Sequence, residues 1–88
     1  MASVWDISIG NFQRYLKLEK GLAANSVESY LHDIRLLRQY AEPRSLQPAD
    51  ITLSHLQEFL ARLNELSIAI NTQCRLISGW RMFFRMLV

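Results

Sequence analysis

Residues 70–88 read INTQCRLISGWRMFFRMLV, and this stretch decides how the rest of the chain can pack. At about 100° per residue, one side of a helix collects apolar residues, namely Ile70, Cys74, Ile77, Trp80, Phe84 and Leu87. The opposite side collects mostly polar ones, namely Asn71, Arg75, Ser78, Met82 and Arg85. The stretch contains no acidic residue. It therefore predicts a helix whose wide apolar face packs on a core while the other face meets something anionic.

Two interpretations of this polar face stay open at the level of the single helix. Arginine and asparagine spaced three and four residues apart suit the major groove of DNA, because Arg bonds phosphate or guanine and Asn bonds adenine. The simpler interpretation is a solvated surface. Arg81 lies at the edge of the apolar side, so it can either bind phosphate or cover the core with its aliphatic stem.

The whole chain has 88 residues, half of them hydrophobic and a fifth charged. That length allows a single compact domain, residues 1–88, with a modest core. The net charge of +2 is unevenly distributed: residues 1–65 carry seven basic and eight acidic side chains, whereas residues 66–88 carry three arginines and no acid. This asymmetry favours a polyanionic partner.

Several functional classes find no support in the residues. Cys74 is the only cysteine, so it is expected to be a small core residue in a reducing compartment. No apolar run approaches the roughly 18 residues of a membrane span, and residues 1–10 lack a signal-peptide pattern. His32 has only Asp33 beside it as a possible second metal ligand. We therefore expect a cytoplasmic protein with no membrane partner, metal, cofactor or small-molecule ligand.

The first predicted helix covers residues 4–19. Gly21 follows at once, in a position that favours the left-handed conformation closing a helix, and Leu22 can fold back on Leu16.

The second predicted helix covers residues 24–41, and its start is ambiguous. Asn25 can be the N-cap of a capping box with Glu28. Alternatively the helix begins earlier, which places the side chains of Asn25 and Ser26 on its first turn, beside exposed amides that can bind an anion. Its inward stripe is predicted to be Val27, Tyr30, Leu31, Ile34, Leu37 and Ala41. Its outward side is predicted to hold Ser26, Ser29, His32, Asp33 and Gln39.

The loop of residues 42–50 contains both prolines and separates two helical hairpins. Thr52 is the expected N-cap of a third helix that ends near residue 66. The apolar stripe of this helix is predicted to be Leu53, Leu56, Phe59, Leu60, Leu63 and Leu66. The three residues that follow can only reverse the chain into the fourth helix. The sequence thus predicts an all-α fold of four helices in two hairpins.

The order of residues in two of these segments resembles a known family. Residues 19–37, EKGLAANSVESYLHDIRLL, are similar to the first hairpin of the N-terminal core-binding, or SAM-like, domain of tyrosine recombinases of the phage-integrase and Xer-like type. Residues 74–87, CRLISGWRMFFRML, are similar to the last helix of that domain. The chain departs from the pattern at Ala23, Ser26, Gly79 and Trp80, where a capping Ser, a Thr, a small residue and an aliphatic residue are usual.

This resemblance implies an orthogonal bundle of two crossed helical hairpins that forms half of a clamp around double-stranded DNA. Its second and fourth helices would face the major groove. Carried over by position, the resemblance implies DNA contacts by Ser26, Ser29, His32, Asn71, Thr72, Arg75 and Ser78. Together with the first-turn residue and the remaining arginines, the expected DNA-binding residues are Asn25, Ser26, Ser29, His32, Asn71, Thr72, Arg75, Ser78, Arg81 and Arg85. Because Arg75 is expected on the outer surface, Arg75→Ala should weaken DNA binding without appreciably lowering the melting temperature.

The resemblance also implies that strand cleavage and joining belong to a separate C-terminal domain with a tyrosine nucleophile. The 88 residues show no acid and base pair, nucleophile or metal cluster, so no catalytic residue is expected here. We expect a DNA-binding fragment of a site-specific recombinase or integrase, with other recombinase protomers as further partners. The alternative is a helical protein-interaction module of the SAM or death-domain type.

Overall fold

The computed structural model of the protein describes residues 3–87, and these residues form four α-helices with no β-strand among them. The helices are α1 (Val4–Arg14), α2 (Ala24–Ala41), α3 (Leu53–Glu65) and α4 (Ile70–Leu87). A π-helical turn, Tyr15–Glu19, continues α1, and two 3-10 turns, Glu42–Arg44 and Pro48–Asp50, lie between α2 and α3. The predicted all-α fold is confirmed, with helix bounds close to the predicted ones.

Local signals in the sequence set both ends of the first helical segment. Ser3 caps α1: its hydroxyl accepts from the Asp6 amide and its own amide donates to the Asp6 carboxylate, both at 3.1 Å. Gly21 adopts a φ of 60°, as predicted, and the Leu22 amide donates to the Leu16 carbonyl at 3.1 Å. This six-to-one hydrogen bond is the one that the Schellman motif uses to close a helix.

The start of α2 corresponds to the earlier of the two predicted alternatives. Ala23 is the N-cap in an extended conformation, and no side chain caps the helix. The interpretation of Asn25 as the cap is therefore wrong. Asn25 and Ser26 lie instead on the first turn, and the first amide that bonds back along the chain belongs to Val27, which donates to the Ala23 carbonyl at 3.0 Å.

The two hairpins, α1 with α2 and α3 with α4, cross where α2 and α4 meet. A glycine allows this close approach: a Cβ added at Gly79 would lie only 3.0 Å from the Tyr30 ring. Aromatic rings fill the space around the crossing. The ring of Phe59 stacks between those of Tyr40 at 4.9 Å and Trp80 at 5.4 Å, which joins α2, α3 and α4.

Trp80 is 2% exposed, which confirms its predicted burial, but the inward face of α4 is not the predicted one. The buried residues of α4 are Leu76, Gly79, Trp80 and Phe83. Ile70 is 68% exposed and Cys74 is exposed, so their assignment to the core is wrong. The buried face differs from the predicted one because Gly79, which has no side chain to signal a packed position, lies against the Tyr30 ring of α2, and because Phe83 packs against Phe12.

The apolar stripe of α3 is only partly used. Phe59 and Leu63 are buried, and Leu56 and Leu60 are half-buried. Leu53 and Leu66, at the two ends, are 71% and 72% exposed, so their predicted place in the core is wrong. The core contact of α3 is therefore confined to its middle turns.

Candidate nucleic-acid interface

An ion pair joins the two helices that are predicted to face DNA. The Arg75 side chain of α4 donates to the Asp33 carboxylate of α2 through two nitrogens, from Nε to Oδ2 at 3.1 Å and from Nη2 to Oδ1 at 2.8 Å. This fork geometry is the strong, orientation-specific form of an arginine–carboxylate contact. The two residues are 42 positions apart in the sequence, so the pair also ties one hairpin to the other.

Asp33 is fully buried, and its predicted place on the outward side of α2 is wrong. Its backbone carbonyl accepts a hydrogen bond from the Trp80 indole at 3.4 Å, so α4 contacts both its main chain and its side chain. A buried carboxylate needs a charged or hydrogen-bonding partner, and Arg75 supplies both. Removal of Arg75 would leave that charge unpaired, so Arg75→Ala is now expected to lower the melting temperature, contrary to the sequence-based expectation.

Arg75 nevertheless remains accessible, since its side chain keeps 46% of its exposure. An arginine has five N–H donors, and Asp33 accepts from two of them, which leaves three for another acceptor. Arg75 therefore combines a structural contact on one edge of its guanidinium with free donors on the other.

The candidate residues of α2 lie along its N-terminal half. Asn25, Ser26 and His32 are exposed, whereas Ser29 is half-buried, one turn before Asp33. The Ser29 hydroxyl donates to the Asn25 carbonyl at 3.1 Å, so only its acceptor capacity is free. Because the first turn lacks a side-chain cap, its amides can meet an anion at the positive end of the helix dipole.

On α4, the candidate residues occupy one exposed face. Asn71 and Ser78 are exposed, one turn before and one turn after Arg75, and Thr72 is half-buried beside them. Cys74 lies in the middle of this face, between Asn71 and Ser78, where the sequence pattern predicts a core residue.

Arg81 and Arg85 border an open groove between α3 and α4. The groove has a volume of about 660 Å³. The rest of its lining is mostly apolar, namely Leu53, Leu56, Gln57, Leu60, Ile77, Trp80 and Phe84. Both arginines are exposed, and neither lies within 4.0 Å of an acidic oxygen among residues 3–87. Both side chains line this groove without an acidic partner among residues 3–87.

Other polar clusters in the described part of the chain have structural roles. The Tyr40 hydroxyl donates to Glu58 at 3.0 Å, and the Arg44 guanidinium lies 4.1 Å from the centre of its ring. Burial, followed by the hydrogen bond to Glu58, raises the pKa of Tyr40, which keeps its hydroxyl protonated. Among residues 3–87 no three His, Cys, Asp or Glu side chains gather as metal ligands, and no helix is long and apolar enough to cross a membrane.

The four helices, with α2 and α4 crossed and polar on their outer faces, define a helical domain of the SAM-like class. The family model of the phage integrase N-terminal SAM-like domain matches residues 9–88. The chain belongs to this family.

Curated relatives carry the name tyrosine recombinase. The chain is 31% identical over 77 residues to the tyrosine recombinase XerD of Agrobacterium fabrum, a match that covers 88% of this chain and 23% of the relative. It is 30% identical to the XerC of Pelotomaculum thermopropionicum, covering 92% and 28%, and 32% identical to the XerD of Proteus mirabilis, covering 93% and 26%. The chain thus spans about a quarter of the length of these relatives. No solved structure matches it.

Sequence reasoning missed Asp33 as the partner of Arg75, and no local signal identifies that partner. The neighbours of Asp33 three and four positions away on the helix are Ser29, Tyr30, Leu36 and Leu37, none of them basic. The salt bridges between near neighbours join residues four positions apart, namely Arg38 with Glu42 and Glu58 with Arg62. The lack of such a neighbour does not by itself indicate a distant partner, because Glu28 has no Lys or Arg three or four positions away either, and it is exposed.

Proposed function

We propose that this domain binds double-stranded DNA for a site-specific tyrosine recombinase, holding the recombination site while another part of the protein cleaves and joins the strands. Synapsis with other recombinase protomers belongs to the same proposal. The observation that carries it is the exposed face of α4, where three arginines, Arg75, Arg81 and Arg85, accompany Asn71 and Ser78 without any acidic residue.

The chemistry of this face fits a duplex better than a flat anionic surface. Guanidinium groups bond phosphates and guanine, and small side chains such as Asn71 and Ser78 reach base edges without blocking close approach. The uncapped first turn of α2, with Asn25 and Ser26, adds amide donors suited to a phosphate. Ser29, His32 and Thr72 complete the proposed contacts between the helices.

Family membership supports the same conclusion from a different direction. The relatives are named tyrosine recombinases, and recombination requires that the protein grip DNA while phosphoryl transfer proceeds. The Tyr40 hydroxyl donates to Glu58 and Arg44 lies over its ring, so this tyrosine has a structural role. We therefore assign this part of the protein to binding and assign the chemistry to a segment outside it.

A salt titration against a labelled duplex tests the proposal. Wild-type protein should bind the duplex with a dissociation constant of about 10⁻⁴ to 10⁻⁶ M at physiological salt, and more tightly at low salt. The double variant Arg81→Ala/Arg85→Ala should weaken binding and reduce the slope of log K against log salt by about one unit for each phosphate that it no longer neutralises. Melting curves establish that the variant remains folded.

Arg62→Ala is the control, and it removes one positive charge where the double variant removes two. Arg62 is an exposed arginine of α3 that lies beside Leu36, Gln39 and Tyr40, at the opposite end of α2 from Asn25. It should leave both affinity and slope nearly unchanged. If Arg62→Ala had half the effect of the double α4 variant, in proportion to the charges removed, binding would follow net charge alone. No binding at low salt would overturn the proposal and favour a protein-interaction module, for which the apolar groove between α3 and α4 is the available surface.

A further inference from the structure

We propose that Asp33 is a positioning residue for DNA binding: it holds the guanidinium of Arg75 in place so that the free donors of Arg75 can bind a DNA phosphate where α2 and α4 cross. This inference rests on the proposed function and adds a role for a residue that itself carries the wrong charge to contact DNA. The proposal predicts that removing the negative charge of Asp33 weakens the binding of DNA, although DNA is itself a polyanion.

Burial and a main-chain hydrogen bond hold Asp33 in place at the crossing of α2 and α4. The residue is fully buried, and its main-chain carbonyl accepts from the Trp80 indole at 3.4 Å. The missing side chain of Gly79 leaves room beside it: a Cβ there would lie 3.8 Å from Oδ2. Because Asp33 is buried, its carboxylate has less freedom to move than the side chain of Arg75, which is 46% exposed.

The consequence for Arg75 is a fixed orientation. Two contacts of 3.1 and 2.8 Å, made through Nε and Nη2, determine the plane of the guanidinium as well as its position. The side chain is 46% exposed, and its remaining donors have no acceptor among residues 3–87. A free arginine loses conformational entropy when it binds, about 0.5–1.5 kcal/mol for a long side chain. Asp33 imposes this ordering before DNA arrives, which is preorganisation.

The surroundings of Arg75 allow a phosphate to approach. Its neighbours on the exposed face of α4 are Asn71 and Ser78, and Ser29 is the residue of α2 one turn before Asp33. These side chains are short and polar. Two oxygens of a phosphate between the two helices would accept from Arg75 in the bidentate manner that guanidinium groups favour.

If the ion pair between Asp33 and Arg75 is purely structural, the expected effect of Asp33→Asn on DNA affinity has the opposite sign. The pair has no net charge, so Asp33→Asn raises the net charge of the domain from its value of +2 by one unit. If Arg75 only neutralised a buried acid, the folded variant would bind DNA as tightly as the wild type or more tightly, because the long-range attraction increases. The sign of the change in affinity therefore separates positioning from neutralisation.

The experiment compares duplex binding by wild-type protein, Asp33→Asn and Glu28→Gln, at temperatures where melting curves show each protein folded. Glu28 is exposed on the same helix, and Glu28→Gln makes the same change in charge. We expect Asp33→Asn to weaken binding about two- to tenfold, which corresponds to the entropy of one ordered side chain. Glu28→Gln should leave affinity unchanged or strengthen it slightly.

A second variant keeps the inference testable if Asp33→Asn does not fold. Arg75→Lys keeps a positive charge beside Asp33 but loses the planar fork. It should weaken binding by a similar factor while the salt slope stays the same. In a double-mutant cycle, Asp33→Asn should cause no loss of affinity when Arg75 is already Lys, since the geometry that it removes is absent.

The outcomes distinguish this inference from the proposed function. If the wild type binds DNA, the Arg81→Ala/Arg85→Ala variant binds more weakly, and Asp33→Asn binds as tightly as wild type, the proposed function stands and the positioning role fails. If Arg75→Lys also binds DNA as tightly as the wild type, Arg75 makes no oriented contact with DNA. If the wild type does not bind DNA at low salt, both fail together.

Discussion

At the scale of single residues, Trp80 has two roles: it packs in the core and it donates a hydrogen bond to Asp33. Its ring stacks on Phe59 with a centroid separation of 5.4 Å, and its indole nitrogen donates to the Asp33 carbonyl at 3.4 Å. The tryptophan thus supports both the core and the buried acid that holds Arg75. Stability and the candidate interface share these atoms.

We expect Trp80→Ala to lower the free energy of unfolding by about 3–5 kcal/mol, because it removes a large buried ring and leaves a cavity. Chemical denaturation followed by circular dichroism measures this decrease. Arg81→Ala, the next position along the helix, is exposed and should change stability by no more than about 0.5 kcal/mol. Coincident unfolding curves for Trp80→Ala and the parent would contradict the assigned face of α4.

Asp6 gives the fold a dependence on acid. The Ser3 amide, and next the Arg38 side chain, lower the pKa of Asp6 below its ordinary value of 3.8. A carboxylate with a lowered pKa in the folded state stabilises the fold above the pKa of the unfolded state. That stability is lost as pH falls through the folded-state pKa.

The melting temperature of Asp6→Asn should therefore lie below that of the wild type at pH 7, and the difference should shrink as pH falls below about 4. Thermal melts across that range provide the measurement. Ser3→Ala removes the hydroxyl of the same capping box without removing a titratable group, so its effect should persist in acid. A constant difference for Asp6→Asn at all pH values would exclude the carboxylate as the source.

At the scale of helices, the crossing of α2 and α4 determines the geometry of the domain, and two glycines show why. Gly10 in α1 has nothing within 4 Å of the place where a Cβ would stand. Gly79 in α4 has the Tyr30 ring at 3.0 Å. The helix has room for a side chain at position 10, whereas at position 79 a side chain would collide with the Tyr30 ring.

Gly10→Ala should raise the free energy of unfolding by about 0.5–1 kcal/mol, because alanine loses less backbone entropy in a helix. Gly79→Ala should instead lower it, because the helices must separate or the Tyr30 ring must turn. Paired denaturation curves test the contrast. The same gain at both positions would show that the helices do not need a glycine at their crossing.

At the scale of the whole molecule, the net charge is small, and the placement of the charged side chains matters more for DNA binding than their sum. The net charge is +2, while α4 carries three exposed arginines and no acid. A small domain with a few phosphate contacts gains most of its affinity from the backbone of the duplex, which carries no sequence information.

We therefore expect this domain by itself to discriminate little between DNA sequences. Competition between a labelled duplex and unlabelled duplexes of unrelated sequence measures the preference, which should be well below the roughly 10³-fold ratio at which specific recognition begins. A salt-insensitive preference above that ratio would show that base contacts, from side chains such as Asn71 or Ser78, dominate the interface.

The sequence by itself determined what depends on neighbours along the chain. Four helices, their approximate bounds, the glycine that closes the first segment and the Thr52 cap follow from periodicity, caps and turn residues, all of which act over a few positions. The order of residues in the first hairpin and the last helix also identified the family, because those motifs keep their spacing.

Only the tertiary structure decided which face of α4 is buried and what Asp33 does. Periodicity allows two overlapping apolar stripes on α4, one through Cys74 and Phe84 and another through Leu76 and Phe83. The choice between them depends on the close approach of α2 at Gly79. Likewise, Asp33 becomes a buried partner of Arg75 only when the chain brings together residues 42 positions apart, a contact that no local pattern encodes because its energy arises from burial on folding.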